Sequence, residues 1–203
     1  MKSKKKMRKK KVLVIVAHPD DETIWMGGTL LRNRDKWQTT IISLCRRDDK
    51  DRAPRFRKAC KIYKAECFMS DLEDEELKSD EVEDAVARIQ HFIDDKIGKS
   101  FYFIFTHGKN GEYGHKRHVD VHKAVVKMLK EKKLQCNKLF FFSYARNARD
   151  CAPRANSDKF INLSALTFMK KRNIITDIYG FKRDSFEEKC CKDTETFNVK
   201  ETR

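Results

Sequence analysis

Apolar residues along this chain follow two alternating spacings. Val12–Ala17, Thr40–Cys45, Phe101–Phe105 and Leu139–Phe142 are short runs, almost continuously apolar and mostly rich in β-branched or aromatic residues. Such runs predict strands buried on both faces, as in a mostly parallel sheet. Between them, apolar positions recur three and four residues apart. Val82, Ala85, Val86, Ile89, Phe92 and Ile93 give the clearest case and predict a helix over Val82–Ile97. Glu22–Lys36, Arg55–Ala65 and His118–Leu134 predict three more. The acidic stretch Asp71–Asp84 predicts a loop at its start, with Ser79 capping the helix that follows. Strands alternating with helices define an α/β protein, a Rossmann-like three-layer sandwich around a mostly parallel sheet.

At 203 residues the chain is long enough for one well-buried core and too short for two. Its 14 Phe and 5 Tyr exclude a disordered chain. No apolar run approaches the ~20 residues of a membrane helix. The net charge is +15, and eight positive charges fall in the first eleven residues: Lys2, Lys4, Lys5, Lys6, Arg8, Lys9, Lys10 and Lys11. Residues 1–11 are therefore expected to form a disordered basic arm, residues 12–185 a single domain and residues 186–203 a polar, frayed tail. Such an arm offers nucleic acid or an anionic membrane a contact site, although no nucleic-acid-binding motif accompanies it. The seven cysteines include no C-x-x-C pair and point to a reducing, cytoplasmic setting rather than a disulfide framework or a four-thiolate zinc site.

Ligands of an open α/β sheet bind beyond the carboxyl ends of its strands. After Val12–Ala17 comes His18-Pro19-Asp20-Asp21-Glu22, and after Phe101–Phe105 comes Thr106-His107-Gly108, leading to Gly111-Glu112-Tyr113-Gly114-His115-Lys116-Arg117-His118. Four of the six histidines lie in these two segments and a fifth, His122, follows closely. His and Asp three residues apart on a tight turn can face one point. A histidine from a neighbouring strand end completes a three-ligand site with an open fourth position, the arrangement of catalytic zinc. Histidine with carboxylate suits Zn²⁺ better than Mg²⁺, with Fe²⁺ or Co²⁺ as substitutes. Adjacent carboxylates allow one to bind metal while the other takes a proton.

Ala17-His18-Pro19-Asp20-Asp21-Glu22, with Gly27-Gly28-Thr29-Leu30 after it, resembles the opening motif of the PIG-L/LmbE family of zinc-dependent N-acetyl-sugar deacetylases. Gly111–His118, with His122 beyond, resembles that family's second motif, GEYGHPDH. The likeness covers roughly residues 11 to 125, with Ile178-Tyr179-Gly180 a further echo. It implies that His18, Asp21 and His118 hold zinc. It implies that Asp20 is the general base, and that His115 is the protonated partner that stabilises the oxyanion and helps the amine leave. The chain departs from the family where Lys116-Arg117 replaces Pro-Asp. A guanidinium beside His115 would lower its pKa and shift the pH optimum while leaving the metal ligands intact.

Plainer roles account for other residues. Helix capping explains the carboxylates of the first motif but not His18. His118 and His122 are four apart, yet Val119 stands where a H-E-x-x-H peptidase needs Glu. His122 then reads as a helix-surface residue or a support, His107 as a strand-end core residue, His91 as helix surface, and Trp25 and Trp37 as helix packing. No phosphate loop, G-x-G-x-x-G turn or G-x-S-x-G elbow is present. The expected function is metal-dependent removal of an acetyl group from an N-acetylated sugar such as an N-acetylglucosamine derivative. The alternatives are a sugar- or metal-binding member without turnover and a basic nucleic-acid-binding protein.

Overall fold

The computed structural model describes residues 9–77 and 81–202. Strands β1 (Lys10–Val16), β2 (Trp37–Ser43), β3 (Glu66–Met69), β4 (Ser100–Thr106) and β5 (Gln135–Phe142) pair in parallel. A small hairpin, β6 (Tyr144–Arg146) and β7 (Cys151–Pro153), follows. Then come β8 (Lys159–Asn162) and β9 (Thr194–Glu201), which pair antiparallel with each other. The seven-stranded sheet has the order β3-β2-β1-β4-β5-β9-β8. The chain winds outward from β1 to β3, then crosses to the other side at β4. The ends of β1 and β4 thus flank the point where the winding reverses, the place where such sheets bind ligands.

Alternation along β1 builds the three layers. Val12, Val14 and Val16 face a core shared with α1 (Asp21–Asn33) and α2 (Arg52–Tyr63). Leu13, Ile15 and Ala17 face the opposite core, which holds α3 (Val82–Phe92). A single turn, α4 (Gly111–Gly114), leads into α5 (Lys116–Lys130), which packs beside α3. Helices α6 (Ala165–Asn173) and α7 (Phe186–Cys190) complete the first side. The predicted helix Val82–Ile97 is present, its last turn, Ile93–Ile97, wound more loosely as a π-turn. No helix among the described residues is long and apolar enough to cross a membrane.

Three expectations need correction. The described residues of the stretch 186–203, residues 186–202, are not a frayed tail: they hold α7 and β9, and β9 lies inside the sheet between β5 and β8. Their polarity misleads because Glu195 is wholly buried. Its carboxylate pairs with buried Lys171 Nζ at 2.9 Å and accepts the backbone N–H groups of Gly28 and Thr29, each at 2.8 Å. Those amides open the second half of α1, which kinks at Met26, so Glu195 acts as a cap delivered from another strand. Of the basic arm, residues 1–8 lie outside the described residues, as does the expected cap Ser79. Lys10 and Lys11 belong to β1 and carry its pairing with β2. Trp37 opens β2 and packs on Phe103 and Phe105 of β4 rather than within a helix.

Replacing Glu195 by Ala strands a buried ammonium and uncaps α1. The expected cost is about 3–5 kcal/mol, read as a lowered midpoint in urea unfolding.

Candidate active site

The chain leaves β1 at Ala17, whose N–H is accepted by Nε2 of His107 at 2.9 Å, tying the ends of β1 and β4 together. A sharp turn follows, with Asp20 at φ 117°, a conformation that L-residues rarely adopt. The Asp20 carbonyl then takes the first helical bonds of α1, from Thr23 at 2.8 Å and Ile24 at 2.9 Å. This turn projects His18, Asp20 and Asp21 toward the start of α5, where His118 sits one turn in.

Three atoms converge there. His18 Nδ1 lies 3.2 Å from His118 Nε2 and 3.3 Å from Asp21 Oδ2, and His118 Nε2 lies 3.4 Å from the same oxygen. A tetrahedral ion with bonds of about 2.0–2.1 Å needs ligand–ligand edges of about 3.3–3.4 Å, so the triangle matches one face of such a polyhedron. The outer nitrogen of each imidazole has a carboxylate partner. His18 Nε2 is 2.9 Å from Asp74 Oδ1, and His118 Nδ1 is 2.7 Å from Glu112 Oε2. A carboxylate behind each imidazole favours a proton on the outer nitrogen, the arrangement that supports metal-bound histidines. Burial opposes a second proton on His18, but Asp21 and Asp74 together raise its pKa well above the ordinary value. Asp21 is held by the His18 backbone N–H at 2.8 Å and the Trp25 indole N–H at 3.0 Å. His107 Nε2 also stands 3.5 Å from Asp21 Oδ2, and Asp21, His107 and His118 form a second group of ligand-like spacing.

Glu112 anchors the second motif. It is fully buried and accepts from His118, from His107 Nδ1 at 2.7 Å and from the Gly108 N–H at 2.7 Å. Burial alone would raise its pKa, yet the two imidazoles outweigh burial and hold it at about 2. Its backbone is strained, at φ 56° and ψ −57°. Gly108 is required by close approach: a Cβ there would lie 2.4 Å from the Phe142 carbonyl oxygen.

The three consecutive acids after β1 have separate environments. Burial opposes ionisation of Asp21, but His118 and His107 hold its pKa well below the carboxylate range. Burial, reinforced by Asp21, pushes Asp20 well above that range, although Arg52 Nη1 meets its Oδ2 at 2.7 Å. Burial takes Glu22 to about 7, and Tyr179 Oη donates to it at 2.8 Å, which gives Tyr179 of the third sequence echo a place at the site.

His115 caps α5 with its ring centroid 4.7 Å from those of both His18 and His118. Its buried Nδ1 has no hydrogen-bond partner. Its pKa is lowered to about 4 by burial first, then by His118 and His18. The expected cause, Arg117, is not among these. Arg117 is buried and turned away toward Asp120 and Glu73. Burial and the two neighbouring imidazoles thus disfavour a charged His115.

The cavity over these groups holds about 300 Å³ and is walled by Trp25, Tyr113 and Phe186, with Arg46, Arg52 and Glu187 at its polar margin. Phe186 and Glu187 come from α7, inside the stretch expected to fray. Sequence reasoning also missed Asp74 and the roles of Glu112 and Arg52. Glu112 sits within the second motif, whereas Asp74 is one of several acids in Asp71–Glu76 with nothing to single it out. His122 supports the site by donating from Nδ1 to the His107 carbonyl at 2.9 Å, and exposed His91 pairs with Asp95.

An α/β sheet with a His/Asp centre at its switch point defines a metal-hydrolase-like class of site, and comparison narrows it. The model of the PIG-L family, described as GlcNAc-PI de-N-acetylase, matches residues 13–129, and the chain belongs to that family. No curated protein matches it by sequence. Among solved structures it is similar to the conserved protein TT1542 from Thermus thermophilus, with a TM-score of 0.68, 18% identity and coverage of 93% of this chain and 94% of that one. It is also similar to N,N'-diacetylchitobiose deacetylase from Pyrococcus horikoshii, with a TM-score of 0.69, 14% identity and coverage of 95% and 84%. GalB, the 4-carboxy-2-hydroxymuconate hydratase of Pseudomonas putida, matches with a TM-score of 0.67, 14% identity and coverage of 94% and 95%. These likenesses show the fold. Because a hydratase shares it, the reaction has to be argued from the site.

Glu112→Gln keeps the volume but removes the charge that fixes two imidazoles. It is expected to weaken Zn²⁺ binding about 10- to 100-fold, measured by competition with a chromogenic chelator.

Proposed function

We propose that this protein is a zinc-dependent hydrolase that removes the acetyl group from an N-acetylated sugar. One observation carries the reading: His18 Nδ1, His118 Nε2 and Asp21 Oδ2 lie 3.2 to 3.4 Å from one another, with a carboxylate behind each imidazole, so three donor atoms face a single point at ion-sized spacing. His18, Asp21 and His118 are assigned as the ligands, with Fe²⁺ or Co²⁺ acceptable to the same donors. Bound there, the ion would supply Lewis acidity and bring the pKa of a coordinated water to about 7.

The chain's own groups are assigned the remaining steps. Asp20, its pKa raised by burial, accepts the proton of the attacking water, and Arg52 fixes the carboxylate's orientation. His115 has a buried ring nitrogen that no protein group satisfies. It is assigned to donate a hydrogen bond to the carbonyl oxygen as that oxygen gains charge, while the proton taken up by Asp20 passes to the departing amine. A cavity of about 300 Å³ with aromatic walls suits one sugar ring and its acetamido group better than a long acyl chain. The family description names an N-acetylglucosamine conjugate and one structural relative deacetylates an acetylated disaccharide, which supports the same substrate class. The seven free thiols favour a reducing compartment, and we place the protein in the cytoplasm.

Purified protein is expected to release acetate from N-acetylglucosamine derivatives, to lose that activity with a chelator and to regain it with Zn²⁺. Asp20→Asn should retain stoichiometric zinc by elemental analysis while kcat falls about 10²- to 10⁴-fold. Zinc bound at this site without acetate release from any acetylated sugar would favour a binding protein instead.

A further inference from the structure

Arg117, which stands where the family places Asp, takes no part in the chemistry assigned above. Its side chain is nevertheless wholly buried, which is rare for arginine and requires complete pairing. Nη1 donates to Asp120 Oδ2 one turn along α5 at 2.8 Å. Nε and Nη2 reach across to the segment between β3 and α3, where they donate to the backbone carbonyl and the carboxylate of Glu73. Asp120 Oδ2 also accepts the N–H of Glu81 at 3.4 Å, so the same cluster holds the far end of that segment.

Glu73 is a hub. One carboxylate oxygen accepts the N–H groups of Glu75 and Glu76, folding the loop on itself, while the other meets Arg117. The next residue is Asp74, whose Oδ1 receives the proton of His18 Nε2 at 2.9 Å. Asp74 Oδ2 is gripped by Arg46 at 2.9 Å, but that guanidinium is two-fifths exposed and its pull is screened by solvent. A second hold on this loop comes from α5, where the buried Arg117 guanidinium meets the Glu73 backbone carbonyl and the Glu73 carboxylate, itself two-fifths exposed. Arg47 and Arg88 offset Asp71 and Arg46 offsets Asp74, while Arg117 offsets Glu73 in the same acidic run.

We infer that Arg117 is a positioning residue for the metal centre, acting through Glu73 and Asp74 to keep the His18 lone pair turned inward. This rests on the ligand assignment made under the proposed function. The substitution that costs the family's second motif an acid thus supports the first motif from behind. Lysine cannot replace it, since one ammonium cannot bracket a carbonyl and a carboxylate while also pairing Asp120.

The test is a double-mutant cycle read as the Zn²⁺ dissociation constant by chelator competition, with the melting temperature of the zinc-free proteins measured alongside. Arg117→Lys is expected to weaken Zn²⁺ binding about 10-fold and Asp74→Asn about 10- to 100-fold, and the double variant should be no weaker than Asp74→Asn alone. Should Arg117→Lys fail to fold, Glu73→Ala tests the same link, because it leaves the buried Arg117–Asp120 pair intact; it too is expected to weaken binding about 10-fold. Wild-type affinity in Arg117→Lys and Glu73→Ala, no effect of Asp74→Asn, or fully additive losses would overturn the inference while leaving the ligand assignment standing. Wild-type protein that binds no Zn²⁺ would overturn both.

Discussion

Two ring nitrogens in contact must share either one proton or one ion, and the site is organised around that constraint. His18 and His118 bring ring nitrogens to 3.2 Å, a separation that two N–H groups facing each other could not tolerate. Asp74 and Glu112 resolve the conflict by drawing the protons to the outside. Much of the surrounding structure serves those two carboxylates. Glu112 occupies a strained backbone position above a glycine that must lie against the Phe142 carbonyl, and it is fastened by three donors. Asp74 sits on an irregular segment and depends on arginines from two directions.

The acids at the end of β1 illustrate how environment divides labour among like groups. Asp21 faces imidazoles and is held toward its ionised form, Asp20 is desolvated beside one guanidinium and becomes the stronger base, and Glu22 turns back into a pocket of hydroxyls from Thr23 and Tyr179. Covalently the three are neighbours. Electrostatically they belong to different compartments, and the turn at Asp20, with its costly positive φ, separates them.

The layered α/β architecture was legible from hydrophobic spacing, because strands buried on both faces and helices with one apolar stripe leave unmistakable patterns. The positions of His18, Asp21 and His118 were legible from their motifs, and the structure brings the three together. What escaped notice was held by long-range polar pairing, which has no period. Glu195 reads as surface until Lys171 and the kinked α1 are seen around it. Asp74 is one acid in a run of acids until His18 is found beneath it. Arg117 reads as a threat to His115, an inference from adjacency along the chain that fails because the start of a helix sends neighbouring side chains in different directions. Its guanidinium lies with Glu73 and Asp120 instead.

The placement of β9 has a consequence for assembly. Strand β8 precedes it in the chain, yet in the sheet β8 reaches β5 only through β9. During synthesis, β8 therefore waits without a neighbour until the chain has emerged through Glu201, and the cavity lacks its Phe186 wall for most of that interval. A chain that stops short of β9 thus leaves β8 an unpaired edge, and one that stops short of α7 also leaves the cavity without its Phe186 wall. The competence of the site is tied to the last piece of its scaffold rather than to the motifs made first.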